Sequence, residues 1–454
     1  MKVSKELLSK FNTPDTFLVI SDYPEKHAGT EKNYGIAWHT KELLEPLAKN
    51  YGLKFVVLAE KGEHIKPELY ARNRILVLRI FDQKHPTLFP RILKQLRTFY
   101  NIHKVHVHSE FSANGGIKNM VLLIPFLALI KLMGKTLTYY THNVVLDINQ
   151  IAEHMNMKKG SFAVKFLNFS MKTYYHLLDM LVSRFVVMDQ TIQKRLSTMV
   201  SAKKIVNLPF WIEAKKYRLS HTASKDKLGF KRNDFLLVSF GFITYYKGSD
   251  WLIDVVKKIR QEHQFAHIKL ILAGGEAYSL QHKSYYQEYY HKLLDAIKSD
   301  ANITITGFVA EKDIGLYLTA ADLVVLPYRG LIGASGTLTH ILAFKRPFIM
   351  SKAMSELLRS NDFQEALKQS HLAMKDVTFN HSYPGFKSII TDAHDPHFVH
   401  ALNMLTKNMA VKRSFNYLLE KCYNEIHNDS VTFSSFPEYK YKPIGKAAPS
   451  SFSS

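Results

Sequence analysis

The residues best placed to do chemistry lie in LPYRGLIGASGTLTHILAFKRPFIMS, from Leu326 to Ser351. An apolar run, DLVVLPY, reads as a strand, and Gly333, Ser335, Gly336 and Thr337 follow it directly before a helical pattern. A helix start presents N–H groups with no intrahelical acceptor, and the macrodipole adds positive potential there, so several N–H groups and two hydroxyls can receive an anion. A merely structural turn does not need two glycines, a serine and a threonine in that place, and a phosphate site is the expectation. In FGFITYYKGSD, Lys247 and Gly248 stand between a strand and an amphipathic helix, where a lysine can set a point charge on a phosphate. Viewed alone, the same segment reads equally as a helix-entry turn with an exposed lysine.

Two weaker signals lie in the first half. His142, in YYTHN, ends a strand, although 22 histidines in the chain favour a merely hydrogen-bonded one. The loop HAGTEKNYG, His27 to Gly35, follows the opening strand, and Gly29 could let backbone approach a phosphate. A single glycine there is more often a turn, and the full G-x-G-x-x-G of a dinucleotide fold is missing.

These segments need strands that end beside one another. From Thr16 short apolar runs alternate with helical patterns: FLVI, KELLEPLAK, LKFVVLAE, ILVLRI, KVHVHSE, an apolar helix from Met120 to Met133, TLTYYTHN, a helical stretch to Leu181, and RFVVMD. That alternation predicts strand and crossover-helix units feeding a parallel sheet. After NLPFWIEAKKYR the series repeats with DFLLVSFG, DWLIDVVKKI, IKLILAGG, a helix around Gln287 to Ile297, NITITG, IGLYLTAA, DLVVLPY and RPFIMS. In open sheets of this kind ligands sit beyond the carboxyl ends of the strands, where all four chemical segments fall. The expected boundaries are a first Rossmann-like domain over 1–205, a second over 206–397, a helical segment over 398–428 packing back towards the first, and a disordered Ser/Pro/Lys-rich tail over 429–454.

A chain of 454 residues, 46% apolar and 22% charged, is long enough for two ordinary domains and too apolar for general disorder. With 61 Lys+Arg against 39 Asp+Glu the net charge is +22, which attracts a diphosphate, an anionic membrane or a nucleic acid. No compact basic block or nucleic-acid motif appears, so no nucleic-acid partner is expected. One cysteine, Cys422, excludes an intrachain disulfide and a cysteine-built zinc site. The N-terminus lacks the apolar core of a signal peptide, and Met120 to Met133 is short of the ~20 residues a spanning helix needs. That run reads as a buried helix. A cytoplasmic protein is expected, with peripheral attachment to the inner membrane face as a hypothesis from the charge and this helix.

Taken in order, the four segments resemble glycosyltransferase family 4, a retaining family of the α/β GT-B fold, in which two doubly wound Rossmann-like domains face each other across a cleft. The resemblance covers roughly residues 16 to 360 and is strongest in the second half. It implies a hexosyltransferase that takes a nucleotide-diphosphate sugar donor and a glycan or glycolipid acceptor, with no cofactor and no metal. His142 then corresponds to the histidine that contacts the transferred sugar, and Gly29 to the loop lining the diphosphate and the acceptor. Lys247 corresponds to the lysine on the donor diphosphate; Ser335, Gly336 and Thr337 hold the terminal phosphate through their backbone; the loops at Gly274–Gly275 and Phe308–Val309 flank the nucleoside.

The departures are specific. Family members place an arginine just after the strand glycine, where this chain has Phe242 after Gly241, with Thr244 in the other usual place. Two glutamates with seven residues between them are replaced by Ile332 and His340, of which His340 can still hydrogen-bond a ribose hydroxyl. The chain has no Asp-x-Asp pairing of the kind that holds a divalent ion in the other main glycosyltransferase fold, which agrees with metal independence. The rival readings are a catalytically impaired GT-B protein that binds a nucleotide or glycan as another enzyme's partner, and a sugar phosphorylase or nucleotide-sugar epimerase on the same fold.

Overall fold

The computed structural model describes residues 3–25, 35–62, 66–83, 85–109, 117–150, 152, 157–208, 217–261, 265–278, 280–331, 333, 335–369 and 378–379. Gly29, Ile332, most of the interdomain connection and everything beyond residue 379, including the expected helical segment and tail, lie outside these residues.

The first sheet has eight strands in the order β3-β4-β2-β1-β5-β6-β7-β8, namely β1 Thr16–Ile20, β2 Lys54–Glu60, β3 Glu68–Tyr70, β4 Ile75–Phe81, β5 Lys104–Ser109, β6 Thr136–Thr141, β7 Arg184–Val187 and β8 Ile205–Asn207. All neighbours pair in parallel except the short edge strand β3, which runs antiparallel to β4. The sheet continues to Asn207, two residues past the expected boundary at 205. Strands buried on both faces are apolar at nearly every position, and β1 and β4 are buried throughout; their polar residues are Thr16 and Arg79, the latter paired with Glu68 at 2.8 Å. Leu18 and Ile20 face one core with α1 (Lys5–Phe11), α3 (Leu88–Thr98), α4 (Ile117–Leu132) and α5 (Phe162–Leu181), while Phe17 and Val19 face another with α2 (Ile36–Tyr51).

The second sheet is wholly parallel, in the order β11-β10-β9-β12-β13-β14: β9 Phe235–Phe240, β10 Ile268–Ala273, β11 Ile303–Ile305, β12 Leu323–Leu326, β13 Phe348–Ser351 and β14 Thr378–Phe379. Counted within the domain this order is 3-2-1-4-5-6, and the chain reverses direction across the sheet between β9 and β12. That switch point opens a crevice at the carboxyl ends of the two strands. Helix α7 (His221–Lys227) precedes β9, and α8 (Ser249–Ile259), α9 (Ser284–Ile297), α10 (Glu311–Ala320) and α11 (Gly336–Ala343) cross between strands.

One sequence expectation fails. The apolar run in α4 is not a buried helix: Leu123, Phe126, Leu127 and Ile130 enter the core, whereas Val121, Leu122, Leu129 and Leu132 are exposed. A helix lying on a sheet can bury only the stripe facing it, so apolar residues on every side leave half of them outside.

The domains meet through α6 (Gln190–Leu196) and the turns that follow β12 and β13. Arg195 is buried and donates to the Leu331 carbonyl at 2.7 Å and the Val144 carbonyl at 3.2 Å, and its guanidinium pairs with Glu356. Thr191 Oγ1 donates to the Glu356 carbonyl at 3.1 Å.

Candidate functional site at the strand ends

Beyond β9 the backbone turns at Gly241 with φ +113°, a conformation that side chains rarely adopt. A Cβ at Gly241 would lie 2.5 Å from Lys247 Nζ and 3.4 Å from Thr337 Oγ1. The missing side chain is what lets the lysine ammonium fold over the end of the strand and approach the start of α11. Lys247 ends a short turn, Tyr245–Lys247, and Gly248, left-handed at φ 70°, redirects the chain into α8. The ammonium lies 5.5 Å from the centre of the Tyr328 ring, which follows β12. Lys247, from the loop after β9, and Thr337, in the first turn of the helix that follows β12, thus converge at the switch point.

The loop after β12 is held firmly. Arg329 forms a two-pronged ion pair with Asp250 in the first turn of α8, at 2.8 and 2.5 Å, and its backbone N–H donates to the Tyr246 carbonyl at 2.6 Å. Tyr289 Oη donates to the same carboxylate at 3.0 Å. Two fixed donor geometries on one carboxylate set the distance between the two loops.

Ser335 caps α11: its Oγ accepts from the Leu338 N–H at 3.2 Å. The Thr337 hydroxyl is already committed, accepting from Tyr328 Oη at 3.2 Å and donating to the Phe240 carbonyl at 3.4 Å. This corrects the expectation of two hydroxyls offered to an anion. What α11 offers is the first-turn N–H groups of Gly336 and Thr337, which have no acceptor within a helix, and the proton of the Ser335 hydroxyl.

Gly274 and Gly275 allow close backbone passage. A Cβ on Gly274 would come within 2.0 Å of the Gly241 carbonyl oxygen, and one on Gly275 within 2.8 Å of the Phe308 nitrogen. The ends of β9, β10 and β11 are therefore drawn together. Phe308 is half-buried with its ring 6.4 Å from that of Phe242, while the Val309 side chain enters the core, so only its backbone can line a site. His340 is buried on α11 with its ring edge-on to Phe240 at 5.7 Å.

His142 comes from the other domain and reaches the same place. Gly333, in the loop before α11, bridges Asn143, and a Cβ on Gly333 would lie 2.4 Å from the His142 carbonyl oxygen. His142 does not stand alone: its ring lies 4.9 Å from that of His39 on α2 and 5.5 Å from that of His108 at the end of β5. His108 stacks on Tyr140 at 4.1 Å, and its Nδ1 is 3.2 Å from Thr40 Oγ1. Burial pushes all three imidazoles below the ordinary histidine range, His39 to about 3, and mutual repulsion with His39 adds to the effect at His108 and His142. The cluster is neutral at physiological pH. One ring nitrogen from each lies within 4.8 Å of the others, a spread that small ring movements would bring to metal-coordination distance.

Sequence reasoning identified His142 but not His39 or His108; KVHVHSE put a second histidine at a strand end, and position at a strand end was the only signal available. Beside them a cavity of about 50 Å³ is lined by Ser21, Asp22, Gln83, His108 and Asn119 among others. Burial raises Asp22 to about 6 against the opposing pull of hydrogen bonds from the Glu60 N–H at 3.2 Å and Gln83 Nε2 at 3.1 Å.

Residues 234–372, which span β9 to α12 (Asn361–Gln369), match the family model described as glycosyl transferases group 1. No curated relative matches the sequence. Among solved structures the chain is similar to sucrose-phosphate synthase from Thermosynechococcus elongatus, with 12% identity, coverage of 92% of this chain and 97% of that one, and a TM-score of 0.64. It is similar to Anabaena HepE in complex with UDP and glucose at 12% identity, 90% and 94% coverage and a TM-score of 0.58. It is also similar to the trehalose-6-phosphate structure from E. coli bound with UDP-2-fluoro glucose, at 11% identity, 94% and 100% coverage and a TM-score of 0.60. The fold is GT-B, with parallel sheets in both halves.

Proposed function

We propose that the protein is a retaining glycosyltransferase of family 4 type, which moves a hexosyl unit from a nucleotide-diphosphate sugar to a glycan or glycolipid acceptor without a metal. The observation that carries this reading is the convergence of Lys247 and the start of α11 over Gly241, at the switch point of the domain that matches a glycosyltransferase model. The donor diphosphate gains charge as the glycosidic bond breaks. A lysine ammonium and preorganised N–H groups at that position stabilise the departing charge more than the bound donor, which is what accelerates the step. The neutral His142 suits its proposed place beside the sugar, since an uncharged imidazole can hydrogen-bond a hydroxyl without opposing positive charge that builds on the ring carbon. UDP and glucose in the HepE complex support a nucleotide-sugar donor. Gly274, Gly275, the Phe308–Val309 backbone and His340 are the proposed nucleoside side of the cleft, and Gly29 remains a proposed phosphate neighbour.

A second reading rests on Phe242. Its ring pairs with Phe308 where an arginine would set a second positive charge, so the site has one cation fewer for the leaving group. A partner protein that binds nucleotide without transfer fits that substitution. Calorimetry and turnover with a panel of UDP-, GDP- and ADP-sugars separate the two: binding with slow donor hydrolysis or transfer supports the enzyme, and binding with neither supports the partner. The same assay in excess EDTA tests the metal-free mechanism. Unchanged turnover is expected, and loss restored by zinc would direct attention to His39, His108 and His142.

A further inference from the structure

Nine of the thirteen large apolar side chains exposed among the described residues lie on α4 and α5. On α5 these are Phe162, Phe166, Phe169, Leu177 and Met180, with Phe162 84% exposed and Met180 72%. At 100° per residue they fall within about 80° of one another, so they form one stripe along 20 residues of helix. Exposed Lys165, Lys172 and His176 occupy a neighbouring strip about 40° wide along one edge of it. On α4 the stripe is Val121, Leu122, Leu129 and Leu132.

The two stripes form one surface. Both helices bury their opposite sides in the same core on the same face of the first sheet, through Leu123, Phe126 and Leu127 of α4 and Tyr175 and Leu178 of α5. Lys131 Nζ of α4 donates to the Met180 carbonyl of α5 at 2.8 Å, which sets the two C-terminal ends side by side. Exposed apolar area of this extent marks a place where something docks.

The charge pattern selects the occupant. Helix α4 contains no acidic residue, and the one acid of α5, Asp179, is paired with Lys204 at 3.3 Å. Lysines beside an aromatic and aliphatic stripe match a helix lying in a lipid interface, whereas the centres of protein interfaces are depleted of lysine. No described helix is long and apolar enough to cross a membrane. We propose that α4 and α5 form a docking face for an anionic phospholipid bilayer, with the Phe162–Phe166–Phe169 stripe inserted among the acyl chains and Lys165 and Lys172 at the headgroups. Tyr175, on the buried side of α5, donates to the Asn143 carbonyl at 3.2 Å, so the docked helix is tied directly to the loop carrying His142. This surface is independent of whether the cleft transfers a sugar.

The test is co-sedimentation of the full chain with vesicles of phosphatidylcholine alone and with about 30 mol% phosphatidylglycerol, whose anionic headgroups give the surface a negative potential. The protein is expected to pellet with the anionic vesicles and to be released as salt rises. Phe166→Ser/Phe169→Ser and, separately, Lys165→Glu/Lys172→Glu should each lower the partition about tenfold or more, with unchanged circular dichroism because all four side chains point outward. The proposal is overturned if the protein stays in the supernatant at low salt, if both variants sediment like the parent, or if neutral vesicles bind it equally. It is also overturned if light scattering finds a dimer that the phenylalanine variant makes monomeric, since the face would then join two copies of the chain.

Discussion

Gly333 of the second domain lies against His142 of the first so closely that a single methyl group at Gly333 would come within 2.4 Å of the His142 carbonyl oxygen. Because the obstruction is backbone, no side-chain rotation relieves it. Gly333→Ala should force the two loops apart while leaving both sheets intact. The expected result is a fall in transfer of about 100-fold, since small misplacement at a reacting centre has effects of that size, with a melting temperature close to the parent's. Activity within a few-fold of the parent would show that His142 need not sit beside the loop of α11.

Lys247→Ala removes a charge and little packing. It should lower kcat/KM about 100-fold or more, as loss of one preorganised donor to a developing anion does, and leave thermal unfolding unchanged. Gly336→Val places a branched side chain at the first residue of α11, where a phosphate must approach the N–H groups. Donor affinity measured by calorimetry should fall sharply in this variant. Unchanged binding with the fold intact would reduce the loop to a structural turn.

Arg195→Ala tests the interdomain clasp. The substitution strips the Val144 and Leu331 carbonyls of a buried donor, and orphaned buried acceptors cost about 1–3 kcal/mol each. The Glu356 pair adds less, because Glu356 is 40% exposed and solvent screens it. Urea unfolding should show a loss of about 2–4 kcal/mol, with the two halves separating into distinct transitions. A single transition at the parent midpoint would mean that other contacts hold the domains.

The succession of strands along the chain was legible because parallel strands buried on both faces write continuous runs such as FLVI and DLVVLPY into the sequence, whereas their order across each sheet was not. The strand-end position of His142 followed from the same runs. What could not be read was anything set by backbone direction or by which side of a helix faces a sheet. Gly241 is one glycine among 20 until its φ of +113° shows why Lys247 can fold across it. Thr337 reads as an anion ligand until Tyr328 is found holding its hydroxyl. An all-round apolar helix such as α4 carries no periodicity from which to predict its exposed half, and the phenylalanines of α5 become informative only when α4 is found beside them.

The buried histidines give the protein a particular response to acid. His39 has its folded pKa lowered to about 3, below the ordinary unfolded value of about 6.5. Its folding contribution is therefore fully present above about pH 6.5 and is lost as pH falls towards 3, because the unfolded chain takes up a proton that the folded one refuses. Between pH 7.5 and 5 this single group should remove about 2 kcal/mol of stability, and His108 and His142, lowered by the same burial, act in the same direction. Asp22 and Asp189 oppose it: burial raises both to about 6, so their contribution is present below the unfolded carboxylate range near 3.8 and is lost as pH rises through 6. The raw pH profile mixes the two signs, and the variant isolates one. His39→Gln keeps a polar side chain of similar length and cannot titrate, so the difference in urea stability between the parent and this variant should shrink by about 2 kcal/mol from pH 7.5 to 5. A difference that stays constant over that range would show that His39 titrates normally in the folded protein and that the cluster is open to water.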